Sequence, residues 1–455
     1  AVISQGQRTP ALRKNAERQS PPSQPTTQNR GGKSKIGSAV EPAAKGAMRS
    51  SQRVPHSKYS SASLRLRDSA FFFIHFNGQD VLASPVMAEI FESTTLSGIQ
   101  LQNRLVRSAT WEGLADAEGR VTPALLRIHE ELAEGGVGLI ISSYMYVQKV
   151  GKQNQGQIGV YSDEMLPGLE KLAHTIHERD GKIVGQIVHC GGQADRRQAG
   201  DLLPVAPSAI DSPGYSLTPH ELTVDEIHGI VGDFASASRR LQEAGFDGVQ
   251  LHGAHGYLLA QFLSPLRNRR TDEYGGSLEN RARFGLEVYR AVRAEVGVKF
   301  PVMIKLNAND FLEGSTTEED ACFLASALAA EGIDAIEVSG GTPGSGKLGA
   351  ARPDIKEASD EAYFLPQAEA IRGAAPSVPL MLVGGVRSPE VIDKILAGGI
   401  ADYFSMSRPL IREPGLPNRW QSGDLGRAAC ISCLGCFGPA RKGDGIRCVQ
   451  ASSPV

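Results

Sequence analysis

The sequence predicts an α/β fold, a (β/α)8 TIM barrel with a disordered N-terminal extension and a short Cys-rich C-terminal tail. Two observations predict the barrel. From about residue 88, eight short β-branched runs alternate with longer amphipathic stretches, and the runs are apolar throughout, as strands covered on both faces are. In addition, no glycine fingerprint follows the first run, as an open dinucleotide-binding sheet would require.

The expected strands, in order, are LVRSA (105–109), VGLIISS (137–143), KIVGQIVH (182–189), FDGVQLHG (246–253), VMIKLN (302–307), AIEVSG (335–340), PLMLVGG (379–385) and ADYFSMS (401–407). Helical stretches separate them. In TVDEIHGIVGDFASASRRLQEAG, Val224, Ile227, Val231, Phe234 and Leu241 recur near helical spacing behind Thr223, which can cap the start. Several stretches close on glycine, as in LAEGG, LQEAG and LAAEG, the residue that ends a helix in the left-handed conformation.

Residues 1–86 are rich in Ser, Pro, Gln and basic residues, poor in acids and without a sustained apolar period, so they are expected to be disordered. The composition fits an organelle transit peptide, and equally a stretch ahead of a working start at Met87. The domains are then the extension (1–86), the barrel (87–425) and the Cys-rich tail (426–455).

The chain has 48 Lys and Arg against 50 Asp and Glu. That balance gives no basic field to hold a phosphate backbone, so nucleic acid is not an expected partner. No apolar run approaches the roughly 20 residues of a membrane span, and no membrane partner is expected. Four of the six cysteines crowd the last residues, which suggests ligands or redox chemistry rather than a disulfide framework. The expected compartment is reducing: cytoplasmic, or plastid or mitochondrion if residues 1–86 are a transit peptide.

Active sites of such barrels gather at the C-terminal ends of the strands, and polar residues collect there. They include Ser108, Thr110 and Trp111 after the first strand, Ser143 and Tyr144 after the second, and Gln186 and His189 on the third. His252, His255 and Tyr257 follow the fourth, and Lys305 lies on the fifth. Gly384 and Gly385 end the seventh and Arg408 follows the eighth. Paired glycines turn backbone N–H groups toward a ligand, and a nearby arginine completes a phosphate site.

HGAHGYLLAQFLSPLRNRRTDEYGGSLENRARF (252–284) resembles the signature stretch of the Old Yellow Enzyme family of FMN-dependent ene-reductases and NADH:flavin oxidoreductases. LQNRLVRSAT, QIVHCGGQAD, VAPSAI, VGGVRSPE and MSRPLIREP fit it in the family's order, so the resemblance covers about residues 88–420. It implies an FMN across the barrel mouth. Ser108, Ala109 and Thr110 would run along the flavin's edge, the backbone at Tyr144 would meet its pyrimidine end, and Gln186 would hydrogen-bond its polar rim. Gly384, Gly385 and Arg408 would take the phosphate, and Lys305 would place a cation near the reduced ring. His252 and His255 would donate hydrogen bonds to a substrate carbonyl oxygen, and Tyr257 would protonate the neighbouring carbon as general acid. NAD(P)H would reduce the flavin, and the reduced flavin would pass hydride to the activated alkene of an α,β-unsaturated substrate.

Three positions depart from the family's pattern: Lys305 stands where many relatives carry Arg, Trp111 where better-known ones carry Thr or Cys, and Gly192 where HxGR motifs place Arg. In the tail, Cys430, Cys433, Cys436 and Cys448 have spacings suited to a [4Fe–4S] cluster or zinc, with free thiols that hold nothing as the third reading. They resemble the cluster motif of dienoyl-CoA reductases and trimethylamine dehydrogenase, which usually show Asn where this chain has Leu434.

Three other functions compete. Lys305 beside a phosphate site is a candidate Schiff-base lysine of an aldolase. A metal-dependent hydrolase would use His189, His252 and His255, with Asp310 the nearest acid. A non-catalytic flavin or iron carrier would bind cofactor without turnover.

Overall fold

The computed structural model describes residues 72–76, 79–83 and 89–451. All eight expected runs contain a strand: β1 (Leu105–Arg107), β2 (Leu139–Ile141), β3 (Ile183–Val188), β4 (Gly248–Gly253), β5 (Val302–Asn307), β6 (Ala335–Ser339), β7 (Leu380–Val383) and β8 (Tyr403–Met406). Each pairs in parallel with the next, β8 pairs with β1, and the third-to-fourth pairing closes the ring. The barrel expected from the strand-helix alternation is therefore closed, with no free edge.

The helix between β3 and β4, α1 (Val224–Glu243), starts at the expected cap. Thr223 Oγ1 accepts from the Glu226 N–H at 3.3 Å, and the Glu226 carboxylate accepts from the Thr223 N–H at 2.7 Å, a reciprocal capping box. Ile227, Phe234 and Leu241 are buried against the barrel as the spacing implies, with Ile230 taking the deeper place beside half-buried Val231.

An element the sequence reading does not include closes the bottom of the barrel. Thr94–Leu96 and Ile99–Leu101 form an antiparallel hairpin turned by Ser97 (φ 46°) and Gly98 (φ 91°). Two successive left-handed residues are what a two-residue hairpin turn needs. Leu96, Ile99 and Leu101 pack with Val184, Met303 and Ala335 into the lower layer of the barrel.

Within the stretch expected to be disordered, Phe72–Phe76 and Gln79–Ala83 pair as an antiparallel hairpin. The rest of the expected extension lies outside the described residues, as does a transit peptide read from it. Among the described residues no helix is long and apolar enough to cross a membrane.

Candidate active site

Strand alternation puts Gln250 and His252, Lys305 and Asn307, and Glu337 and Ser339 on the inward side of three neighbouring strands. Register aligns them: His252 sits opposite Lys305, and Lys305 opposite Glu337. Above them opens a cavity of about 600 Å³ whose wall includes Ser108, Ala109, Thr110, Tyr144, His252, His255, Tyr257 and Lys305. With Trp111, which also lines it, nine of the barrel residues singled out in the sequence therefore meet in one space. Gln186 does not reach its wall. It lies behind it, fully buried, with Nε2 donating to Gln250 Oε1 at 2.7 Å and Oε1 without a donor.

Gly385 and Arg408 line a smaller cavity of about 80 Å³ that shares Ala350, Ala351, Val383, Ser407 and Phe437 with the large one. Gly384 and Gly385 have φ of 137° and 80°, conformations that a side chain disfavours. A Cβ on Gly385 would also stand 2.9 Å from the Tyr363 ring. Arg408 donates through Nη1 to the carbonyls of Arg352 (2.8 Å) and Ser432 (3.3 Å), which fixes its guanidinium between this cavity and the tail.

His252 and His255 stand edge to face, ring centroids 5.0 Å apart. Burial lowers the pKa of both, His252 well below its ordinary value and His255 to about 3, and the Lys305 charge adds to each. Both are neutral imidazoles at physiological pH. His252 Nδ1 accepts the Ala254 N–H at 3.3 Å, which puts its own hydrogen on Nε2. His255 is held in the left-handed region (φ 59°) by its backbone N–H on Asn307 Oδ1 at 3.1 Å, and its Nε2 lies 2.8 Å from Ser339 Oγ.

Tyr257 precedes the short helix Leu258–Leu263, its ring 4.8 Å from that of His252. Its hydroxyl donates to Gln153 Oε1 at 2.8 Å. Burial, then the neighbouring Tyr144, raises its pKa well above the ordinary phenol value, so it is a protonated acid throughout the physiological range. Tyr144 contributes its ring as well as its backbone: it lies 5.7 Å from the Tyr257 ring and accepts from Asn154 Nδ2 at 2.7 Å.

The sequence reading missed several wall residues. Gln153, Asn154 and Ser339 come from loops and strand ends, and Leu434, Phe437 and Arg441 come from the tail. The tail packs on the barrel mouth, where Trp111, Cys436, Ala440 and Ile446 form one apolar cluster. The Ile446 N–H donates to the Glu112 carbonyl at 2.8 Å. Gln250 and Glu337 were missed too, although each lies two residues before a noted or wall-lining residue on its own strand, a period the sequence displays.

All four tail cysteines line one cavity of about 20 Å³ together with Arg408 and Leu434. Among the described residues no three His, Cys, Asp or Glu side chains converge on a single-ion site. Leu434 has φ 60°, a conformation Asn tolerates far better than Leu, which accounts physically for the Asn of the related motifs. At Gly192, where HxGR motifs place Arg, a Cβ would stand 2.4 Å from the Tyr215 ring, so that ring occupies the space.

Two competing functions lose their footing. Lys305 is held by Glu337 (3.2 Å) and Ser108 (2.8 Å), an ion-paired ammonium rather than the free amine a Schiff base needs. Asp310 pairs with the buried Arg267 at 3.2 Å and bonds Asn307, so it is not free to join His189, His252 and His255 on a metal.

Residues 89–425 match the sequence profile of the NADH:flavin oxidoreductase / NADH oxidase family. The chain is 36% identical to an NADH oxidase of Thermoanaerobacter brockii over 77% of this chain and 53% of that one. It is 36% identical to an NADPH dehydrogenase of Geobacillus sp. (strain WCH70) over 72% of this chain and 92% of that one. A solved 2-naphthoyl-CoA reductase in complex with 2-naphthoyl-CoA matches with a TM-score of 0.73 and 31% identity, over 79% of this chain and 56% of that one. The chain thus spans about half the length of the first and third of these proteins.

Proposed function

Because the chain belongs to the NADH:flavin oxidoreductase / NADH oxidase family, we propose that it binds FMN across the barrel mouth, takes hydride from NAD(P)H and reduces an activated C=C bond of an α,β-unsaturated carbonyl or related acceptor. The observation that carries this reading is the single cavity walled by Ser108, Ala109, Thr110 and Lys305 together with His252, His255 and Tyr257. A bound FMN supplies hydride transfer there.

The residues present fit that cofactor. The adjoining cavity of Gly385 and Arg408 offers backbone N–H groups, room and a cation to a phosphate.

The chain's own side chains divide the remaining work. His252, through Nε2–H, donates to a substrate carbonyl oxygen and stabilises the charge that develops on it. His255 joins it in the tautomer whose Nε2 accepts the Ser339 hydroxyl, leaving Nδ1–H to donate. Tyr257 delivers the proton to the neighbouring carbon. Leu434 and Phe437 of the tail line the same cavity.

Cys430, Cys433, Cys436 and Cys448 would hold a four-iron cluster. Their thiols surround one cavity without three closing on a point, whereas zinc needs all its sulfurs at about 2.3 Å. Such a cluster supplies one-electron exchange when bound. The test of the whole reading begins with purification: the protein should be yellow and should release one FMN per chain on denaturation, and a colourless protein that takes up no FMN contradicts it.

A further inference from the structure

We infer that Glu337 sets the reduction potential of the flavin by neutralising Lys305, an inference that rests on the FMN-binding reading above. Lys305 and Glu337 are register partners on β5 and β6. Both are buried, 3% and 0% exposed, and Nζ stands 3.2 Å from Oε2. Ser108 ties the pair together: its hydroxyl accepts from Lys305 Nζ at 2.8 Å and donates to Glu337 Oε1 at 2.8 Å. Gln250 Nε2 donates to Glu337 Oε2 at 3.0 Å, and Gln250 Oε1 accepts in turn from Gln186 Nε2. The carboxylate thus receives three donors, from the residue after β1 and from β4 and β5, and its position is fixed.

An ammonium has three N–H donors. Ser108 and Glu337 take two, which leaves one for the cavity that Lys305 lines. Reduction leaves negative charge on a flavin ring. An unpaired cation at that wall favours the reduced form and raises the potential. The buried carboxylate opposes it at short range, where salt screens little. A buried ion pair is weak evidence for stability, since apolar residues of the same volume often serve as well or better. Its place behind the cofactor wall is accounted for if the net charge there matters. The flavin is then a stronger hydride donor than a lone cation would allow, which extends the reaction toward weaker electrophiles.

Glu337 acts through Lys305 and is a positioning and charge-compensating residue. The test is the midpoint potential of the FMN-loaded protein, read by spectroelectrochemical titration in three variants. Glu337→Gln keeps the shape and leaves the cation unopposed, and the potential should rise by at least a tenfold shift in the reduction equilibrium, about 30 mV for a two-electron couple. Lys305→Met leaves the carboxylate unopposed, and the potential should fall by a similar amount. The double variant should return near the parent value. If Glu337→Gln does not accumulate, the fall in Lys305→Met and its reversal in the double variant decide the matter alone. A merely structural role moves both single variants in the same direction, and that result, or no movement in either, overturns the inference. Failure to bind FMN at all contradicts the functional reading instead, so the two failures are separable.

Discussion

The hydroxyl of Tyr257 points at Gln153, donating to its side-chain oxygen at 2.8 Å, and that same oxygen receives Asn154 Nδ2 at 3.2 Å. The acid is held in place by its neighbours rather than left to rotate.

Tyr257→Phe should therefore slow oxidation of the reduced flavin by an enone by about 10²-fold or more, the usual worth of a positioned general acid. Reduction by NADPH should change far less. Gln153→Leu should show the same asymmetry at smaller size, near tenfold. Stopped-flow measurement of the two half-reactions separates the effects, and equal losses in both would remove Tyr257 from the proton-donating role.

The neutral histidines make the fold sensitive to acid. His189 and His255 have folded pKa values of about 3 against an ordinary 6.5, through burial, with Lys305 adding at His255. Between those values the unfolded chain takes up protons that the folded protein refuses. Stability is therefore complete above about pH 6.5 and falls as pH drops below it, by ~1.4 kcal/mol per unit per histidine. Urea melts at pH 7.5 and 5.5 should show the midpoint lower at 5.5 by the equivalent of about 2 to 3 kcal/mol. A flat profile would mean that the imidazoles protonate in place.

Leu434 adopts φ 60° between two of the tail cysteines, at a cost of roughly 1 kcal/mol that Asn largely avoids. Leu434→Asn should tighten the tail, slowing amide exchange across residues 430–448. Faster exchange would show that the packing of the leucine outweighs the backbone strain.

Protein purified without oxygen should contain iron and acid-labile sulfide in equal amounts, and Cys436→Ser should lose both. Zinc in place of iron would reassign the tail.

The barrel is legible in the sequence because its strands are short apolar runs broken by capped, glycine-terminated helices. The pairing of Thr223 with Glu226 and the φ of Gly384 and Gly385 follow from local chemistry alone. The sites at strand ends are legible for the same reason: His252, His255 and Tyr257 are polar where an apolar strand stops, and Lys305 is a lone charge within an apolar strand. The rest depends on contacts far apart in the chain. Gln153 meets Tyr257 across 104 residues, and Ser108 meets Glu337 across 229, distances over which no local pattern acts. The folding of the tail onto Trp111 is also tertiary, so Phe437 and Arg441 could not be assigned to the site from their neighbours.

The most direct measurement mixes the FMN-loaded protein without oxygen first with NADH or NADPH and then with cyclohexenone, following flavin absorbance. The account predicts bleaching by at least one nicotinamide and recovery of the oxidised spectrum on adding the enone, with the saturated ketone as product. Flavin absorbance unchanged by both nicotinamides would contradict it and leave a binding protein in place of an enzyme.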